Sequence, residues 1–162
     1  MDYIICKNKK RFNRGCAFAE SEVRTIRIWH KDLLDVLPRQ QLLGQWRECC
    51  AIAANISEQG SPNHILVNRI MDFHMKHFYC YGFLVAEQMR KRGYKCDFDK
   101  FDQYFTYPHE KYMVPMYELF EGWHNERYLR QCYYNLEEKH DCGGIRQEDW
   151  RKIHDRFMSI IE

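Results

Sequence analysis

From residue 38 onward, apolar side chains recur at helical intervals. Pro38 is placed to open a helix, since its missing amide hydrogen costs nothing at that position. Leu42, Trp46, Cys49, Cys50 and Ala53 then follow at helical spacing. The run should end ahead of SEQGSPNH (57–64), whose Ser, Gly, Pro and Asn form loops. A second period of Ile70, Phe73, His77, Tyr81 and Leu84 predicts a long helix over 67–92. Its basic last turn suits the helix dipole, and Gly93 supplies the stop. Residues 94–115 are rich in aromatics but hold two prolines, and read as loop with short helical pieces. Leu119, Phe120, Trp123, Leu129, Cys132, Tyr133 and Leu136 predict a third helix over 115–139, broken by DCGG (141–144). Trp150, Ile153, Phe157, Ile160 and Ile161 form the stripe of a last amphipathic helix. No segment alternates with the period of a strand. The predicted fold is all-α: a compact single-domain bundle of about four helices with irregular connecting loops. Residues 1–25 contain Gly15 and hold no sustained period. They read as an irregular basic extension ahead of a helical domain over 26–162.

Composition narrows the class. In 162 residues, 45% hydrophobic and 15% aromatic content supplies one sizeable core and excludes a disordered chain. The longest apolar runs, such as AIAA and FLVA, are too short to span a bilayer. The first residues, MDYIICKNKKRFNRGC, lack the apolar stretch of a secretory signal. The expectation is a cytoplasmic protein whose eight cysteines are mostly reduced. No two of them form a C-x-x-C pair, which argues against a zinc finger or a thioredoxin site. A net charge of +2 does not mark a nucleic-acid binder by itself. The basic residues cluster, however: Lys7, Lys9, Lys10, Arg11, Arg14, Arg24 and Arg27 near the start, and MRKRGYK at 89–95. Such clusters either grip phosphates or form a solvated face.

Four constellations could carry chemistry. Arg47-Glu48 sits two turns after Gln40 and Gln41, and adjacent helical positions about 100° apart can both reach one cleft edge. A carboxylate beside a guanidinium suits acid–base work next to a phosphate; the plain alternative is an ion-paired surface. His74, His77 and Cys80 fall on one side of a continuous helix, where a metal is geometrically possible. They lack the catalytic Glu of H-E-x-x-H, so two packed histidines are the simpler expectation, with no metal and no cofactor. Cys49-Cys50 would need a base and a lowered pKa to act as a nucleophile, and small packed residues explain the pair equally well. His64, His109 and His124 each stand near a turn or helix start, where any one of them could line a site.

The stretch IRIWHKDLLDVLPRQQLLGQWREC (26–49) resembles the N-terminal segment of the pyrimidine-dimer DNA glycosylases, small phage-type repair enzymes that also cut at abasic sites. Members begin at or near an Arg-Ile pair and continue into a helix with a Gln, an apolar pair and then an aromatic or polar residue before Arg-Glu. Here these are Arg27-Ile28, Gln40, Leu42-Leu43 and Trp46-Arg47-Glu48. The R-I-W-H and R-E-C-C versions are similar to a bacterial branch. NHILVN (63–68), AEQMRKRGY (86–94) and GWHNERYLRQCYYNLEEK (122–139) extend the likeness more weakly, to about residue 140.

The resemblance implies a small helical monomer that acts on double-stranded DNA with a damaged or abasic site. It implies a glycosylase coupled to an abasic-site lyase, whose nucleophile is the α-amine of the first residue of the mature chain. An α-amine with a pKa near 8 leaves a useful neutral fraction at physiological pH. On this reading the amine belongs to position 26, so Ile26 and Glu48 are the catalytic positions, with Glu48 stabilising the cationic sugar. Arg27 and Arg47 would hold phosphates, and Gln40, His64, Lys91 and Arg92 would add DNA contacts. In the chain as written the nitrogen of Ile26 is an amide, which cannot form an imine. A translation start at 26 or removal of residues 1–25 would supply the amine; otherwise the extension is real and the protein has lost the lyase or uses a lysine. The missing core period in 1–25 favours the first. A further family arginine after Arg-Glu is replaced here by CCAIAA, which removes one lesion contact. The other readings are a non-catalytic DNA- or RNA-binding helical module on the same scaffold, and a metal-binding protein built on His74 and His77.

Overall fold

The computed structural model describes residues 26–106 and 111–162. The basic extension over 1–25 and His109 lie outside the described residues. Five helices follow an extended lead: α1 (Arg39–Gln59), α2 (Met75–Lys91), α3 (Asp99–Asp102), α4 (Glu126–Asp141) and α5 (Gln147–Ile161), four of them long. Single 3-10 turns occupy Lys31–Leu33 and Asn68–Asp72. Among the described residues there is no strand, and the fold is all-α.

Helix α1 runs further than the loop-forming residues suggested. Ser57, Glu58 and Gln59 are helical, and the stop is Gly60, at φ 74, whose amide caps the Ile56 carbonyl at 2.9 Å. A left-handed residue closes a helix without penalty only where no Cβ is present. Pro38 caps α1 from outside and does not form its first residue.

The expected helix over 67–92 is interrupted. Phe73 adopts an extended conformation (φ −117, ψ 156), and α2 begins two residues later behind His74. The break turns Phe73 inward, where it meets Phe120 edge-on at 5.3 Å and His77 at 5.4 Å. Packing of one aromatic ring overrides the local period here.

The helix expected over 115–139 likewise starts late, at Glu126. Asn125 accepts a hydrogen bond from the Tyr128 amide at 3.0 Å, so this asparagine is the true N-cap. Before it, Phe120 (φ 52) and Gly122 (φ 80) fold residues 115–125 into turns. A left-handed phenylalanine is uncommon. It is held by complete burial of the ring among Phe73, His77 and Trp123.

Helix α1 packs on α2, and α4 on α5, where the Tyr133 and Phe157 rings stack at 3.9 Å. Short α3 closes on α1. Its Phe101 lies against the bare Cα of Gly82 in α2, where a Cβ would come within 2.3 Å of the ring. Residues 26–30 thread into this assembly, and Ile28, Trp29 and His30 are buried. Among the described residues no helix is long and apolar enough to cross a membrane.

Candidate active site

The buried face of α1 consists of Leu42, Gln45, Trp46, Cys49, Ile52 and Ala53. Along its edge run two polar rows at helical spacing, Gln40–Gly44–Arg47 and Gln41–Gln45–Glu48. These rows form one wall of an open cleft of about 750 Å³. Arg27 and Trp29 form the cleft's end, and Asn135, Glu138, Lys139 and Cys142 form the facing wall from α4 and its C-cap. Gly44 leaves space in the first wall, since nothing lies within 4 Å of where its Cβ would stand.

The extended lead is fixed to this wall through its backbone. Buried Gln45 accepts a hydrogen bond from the Trp29 amide at 2.8 Å and another from the Tyr81 hydroxyl at 3.1 Å. Tyr81 also donates to the Trp29 carbonyl at 2.7 Å. Tyr128 donates to the Ile28 carbonyl, and the Lys31 amide donates to His124 Nδ1 at 3.0 Å. These bonds hold Ile28, Trp29 and Lys31, and they deliver the Arg27 amide to Glu48 Oε2 at 3.4 Å. The Gln45 amide donates to the same Glu48 oxygen at 3.5 Å. The α-nitrogen of Ile26 is therefore one residue along the chain from an atom in contact with the carboxylate.

Charge is distributed unevenly around Glu48. The Arg27 guanidinium lies 5.8 Å from the Trp29 ring centroid, a cation–π distance. Arg47 is exposed, and among the described residues it makes no ion pair. Burial pushes the Tyr128 phenol well up, so it remains a neutral donor to the backbone beside Arg27.

Four of the residues singled out from the sequence, Arg27, Gln40, Arg47 and Glu48, line this one cleft, and Ile26 adjoins it. Three others stand elsewhere. His64 lies in the loop after α1, where its Nδ1 accepts from the Leu66 amide at 3.3 Å. Lys91 pairs with Glu87 at 3.3 Å along α2. Arg92 donates to the backbone carbonyls of Leu34, Asp35 and Leu37, tying the turn before α1 to the end of α2.

The histidine and cysteine groups are structural in their surroundings. His74 is the cap of α2, its Nδ1 accepting from the Lys76 amide at 3.1 Å, so it does not share a helical face with His77. His77 accepts from the Phe120 amide at 3.2 Å, and buried Cys80 donates to the Val114 carbonyl at 3.5 Å. Among the described residues no three His, Cys, Asp or Glu side chains are grouped to hold a metal. Burial pushes the Cys49 thiol well up and that of Cys50 to about 11, which keeps both protonated at neutral pH.

The facing wall is absent from the sequence reading. Asn135, Glu138, Lys139 and Cys142 fall at i, i+3, i+4 and i+7, so a single polar row was visible in principle. Nothing in the sequence says that this row opposes Glu48. Gln45 was hidden for another reason: a glutamine inside a buried stripe has no counterpart in a hydrophobic pattern.

The family model of the pyrimidine dimer DNA glycosylases matches residues 26–102. Over those residues the chain is similar to that family. Its members are DNA repair glycosylases. No curated protein and no solved structure matches the chain. The glycosylase match holds the extended lead, the α1 wall and the Tyr81 anchor on α2. The wall from α4 lies beyond it.

Proposed function

We propose that this protein is a DNA repair glycosylase with abasic-site lyase activity, acting on damaged duplex DNA in the cleft beside Glu48. The family match supports the glycosylase class. The observation that carries the finer reading is the contact of Glu48 Oε2 with the Arg27 amide at 3.4 Å, at the mouth of a cleft edged by two arginines. In a chain that begins at position 26, the free α-amine would stand next to this carboxylate.

The chemistry then follows from the groups at hand. The amine attacks C1′ of the damaged nucleotide, the C1′–N bond breaks, and the base leaves with the bonding electrons. The C1′–O4′ bond then opens, O4′ taking up the proton that the attacking amine sheds, and the resulting iminium acidifies C2′. Glu48 stabilises the cationic sugar and accepts the C2′ proton, after which the C3′–O bond breaks and the 3′ phosphate leaves. Arg27 and Arg47 hold the flanking phosphates, and binding weakens steeply as salt rises because counterions are released. The test is Glu48→Gln, assayed on duplexes carrying an abasic site or ultraviolet photoproducts. Strand cleavage should disappear while salt-sensitive DNA binding persists. Cleavage undiminished by the substitution refutes the role of Glu48. A wild-type chain that binds but never cuts would instead support a non-catalytic DNA-binding module.

One observation favours a second source of the amine. Lys139 is the one lysine among the residues lining the cleft, and it stands on the wall facing Glu48. In the chain with residues 1–25 attached, its side-chain amine could form the same imine.

A further inference from the structure

The loop between α1 and the second 3-10 turn presents two large apolar side chains to water: Ile65 is 83% exposed and Leu66 44%. Exposed apolar residues on a floppy loop would mean little. This loop is fastened on every side. Asn55 of α1 donates to the Pro62 carbonyl at 3.3 Å, and the Asn63 amide donates to Ser61 Oγ at 3.0 Å. The His64 amide donates to Asn68 Oδ1 at 3.1 Å, while its carbonyl accepts from the Val67 and Asn68 amides. The Leu66 amide donates to the His64 ring. Buried Pro62, Val67 and Ile70 anchor the two ends in the core. Asn63 takes a left-handed conformation at the bend (φ 60), a strain that asparagine tolerates well. A rigid loop thus holds two apolar tips outward.

The position of these tips gives them a partner. Leu66 lines a small cavity of about 260 Å³ together with Arg27, Tyr128, Gln131 and Asn135. Arg27 and Asn135 also line the main cleft, so the two spaces are separated by single side chains. A nucleotide can reach Glu48 only if it leaves the base stack, which costs a few kcal/mol per step. Proteins that open a step do so by inserting apolar side chains between bases. Such a wedge works best when it is held in place beforehand, because little conformational entropy is lost on insertion.

We propose that Ile65 and Leu66 are a wedge that enters the base stack of duplex DNA beside the lesion and opens the step whose nucleotide reaches the Glu48 cleft. The proposal rests on the functional reading given above. Arg27 holds the phosphate on one side of the opened step. Arg69, three residues after Leu66, lies over the Trp123 ring at 5.6 Å and pairs with Asp72 at 3.9 Å, and is the next cation along the chain. Neither apolar side chain touches the reacting atoms, so both are positioning residues.

The test combines Ile65→Ala/Leu66→Ala with a 2-aminopurine base placed next to an abasic site. Wild-type protein should raise the 2-aminopurine fluorescence on binding, and the double variant should not. Single-turnover cleavage of the duplex should fall roughly tenfold or more. Cleavage of the same abasic strand without its complement should be nearly unchanged, since few stacked pairs remain to be opened. Ile65→Val/Leu66→Met should restore the duplex rate, and melting temperatures should match wild type because both tips are exposed. Equal duplex rates and equal fluorescence for wild type and the alanine variant overturn the wedge. A uniform loss on both substrates also overturns it, pointing to a structural role. If wild type cuts neither substrate, the lyase reading fails separately, and the fluorescence arm still decides whether the loop opens DNA. Absence of any DNA binding overturns both.

Discussion

Gln45 is the residue on which the extended lead depends, and Gln45→Leu isolates it. Leucine has nearly the same volume, so the substitution leaves little cavity. It removes the acceptor of the Trp29 amide, a donor whose residue is only 7% exposed. An unsatisfied buried donor costs about 1–3 kcal/mol. Tyr81 loses its 3.1 Å bond to Gln45 but keeps the stronger one to the Trp29 carbonyl at 2.7 Å, so it adds little. Glu48 loses a long, marginal donor at 3.5 Å and is half-exposed, so water replaces it. The leucine recovers part of the loss by burying apolar surface. The balance is about 2 kcal/mol of destabilisation, or roughly 4–8 °C in melting temperature for a domain of this size. Because the same bond sets the distance from residue 26 to Glu48, turnover should fall by ten- to about a hundredfold. Thermal melts and single-turnover cleavage, run on Gln45→Leu, Tyr81→Phe and the double variant, give both readouts. The two substitutions share Trp29 and should couple by at least about 0.5 kcal/mol. A variant that melts within about 1 °C of wild type and cuts at the wild-type rate would refute the anchoring role.

Three further outcomes follow from the packing. Gly44→Ala should raise helix stability by about 0.8–1 kcal/mol while placing a methyl in the cleft, so the melt should rise and DNA cleavage fall; a faster enzyme would contradict the cleft's assignment. Gly82→Ala puts a Cβ 2.3 Å from the Phe101 ring and should cost about 1–3 kcal/mol or more in urea denaturation, whereas Gly82→Ala with Phe101→Leu should recover part of it. His30 and His124, stacked at 5.0 Å, both have pKa values lowered by burial, His124 the more strongly. The unfolded chain therefore takes up protons near pH 6.5 that the folded chain refuses. Stability from this pair is complete above that pH and declines as pH falls toward the depressed folded values. His124→Asn, which keeps an acceptor for the Lys31 amide, should flatten the change in urea midpoint between pH 7 and about 5.5; an unchanged slope would contradict it.

Much of the helix plan was legible because amphipathic stripes dominate α1, α4 and α5. Two of the three departures have one physical cause. Phe73 and Phe120 continue a helical period in sequence, yet tertiary packing pulls both rings into the same cluster with His77 and Trp123 and breaks the helix at each. Local pattern cannot anticipate which ring finds which partner. Of the cleft, Arg27 at its end and Gln40, Arg47 and Glu48 on the α1 wall could be named because they belong to one motif. The wall on α4 could not, since its position depends on how the extended lead draws Tyr128 toward Ile28. His64, named from the resemblance alone, lies outside the cleft and is bonded within its own loop, holding Ile65 and Leu66 outward.

The central claim is that an amine beside Glu48 forms an imine with the deoxyribose at a lesion. Borohydride trapping on a duplex containing one abasic site tests it directly, comparing the full chain with a chain beginning at position 26 and mapping any adduct by mass spectrometry. The account predicts a covalent adduct on the α-amine of residue 26 in the shorter chain, with any adduct of the full chain on Lys139. No adduct with either chain, or adducts only on lysines outside the cleft, would contradict it.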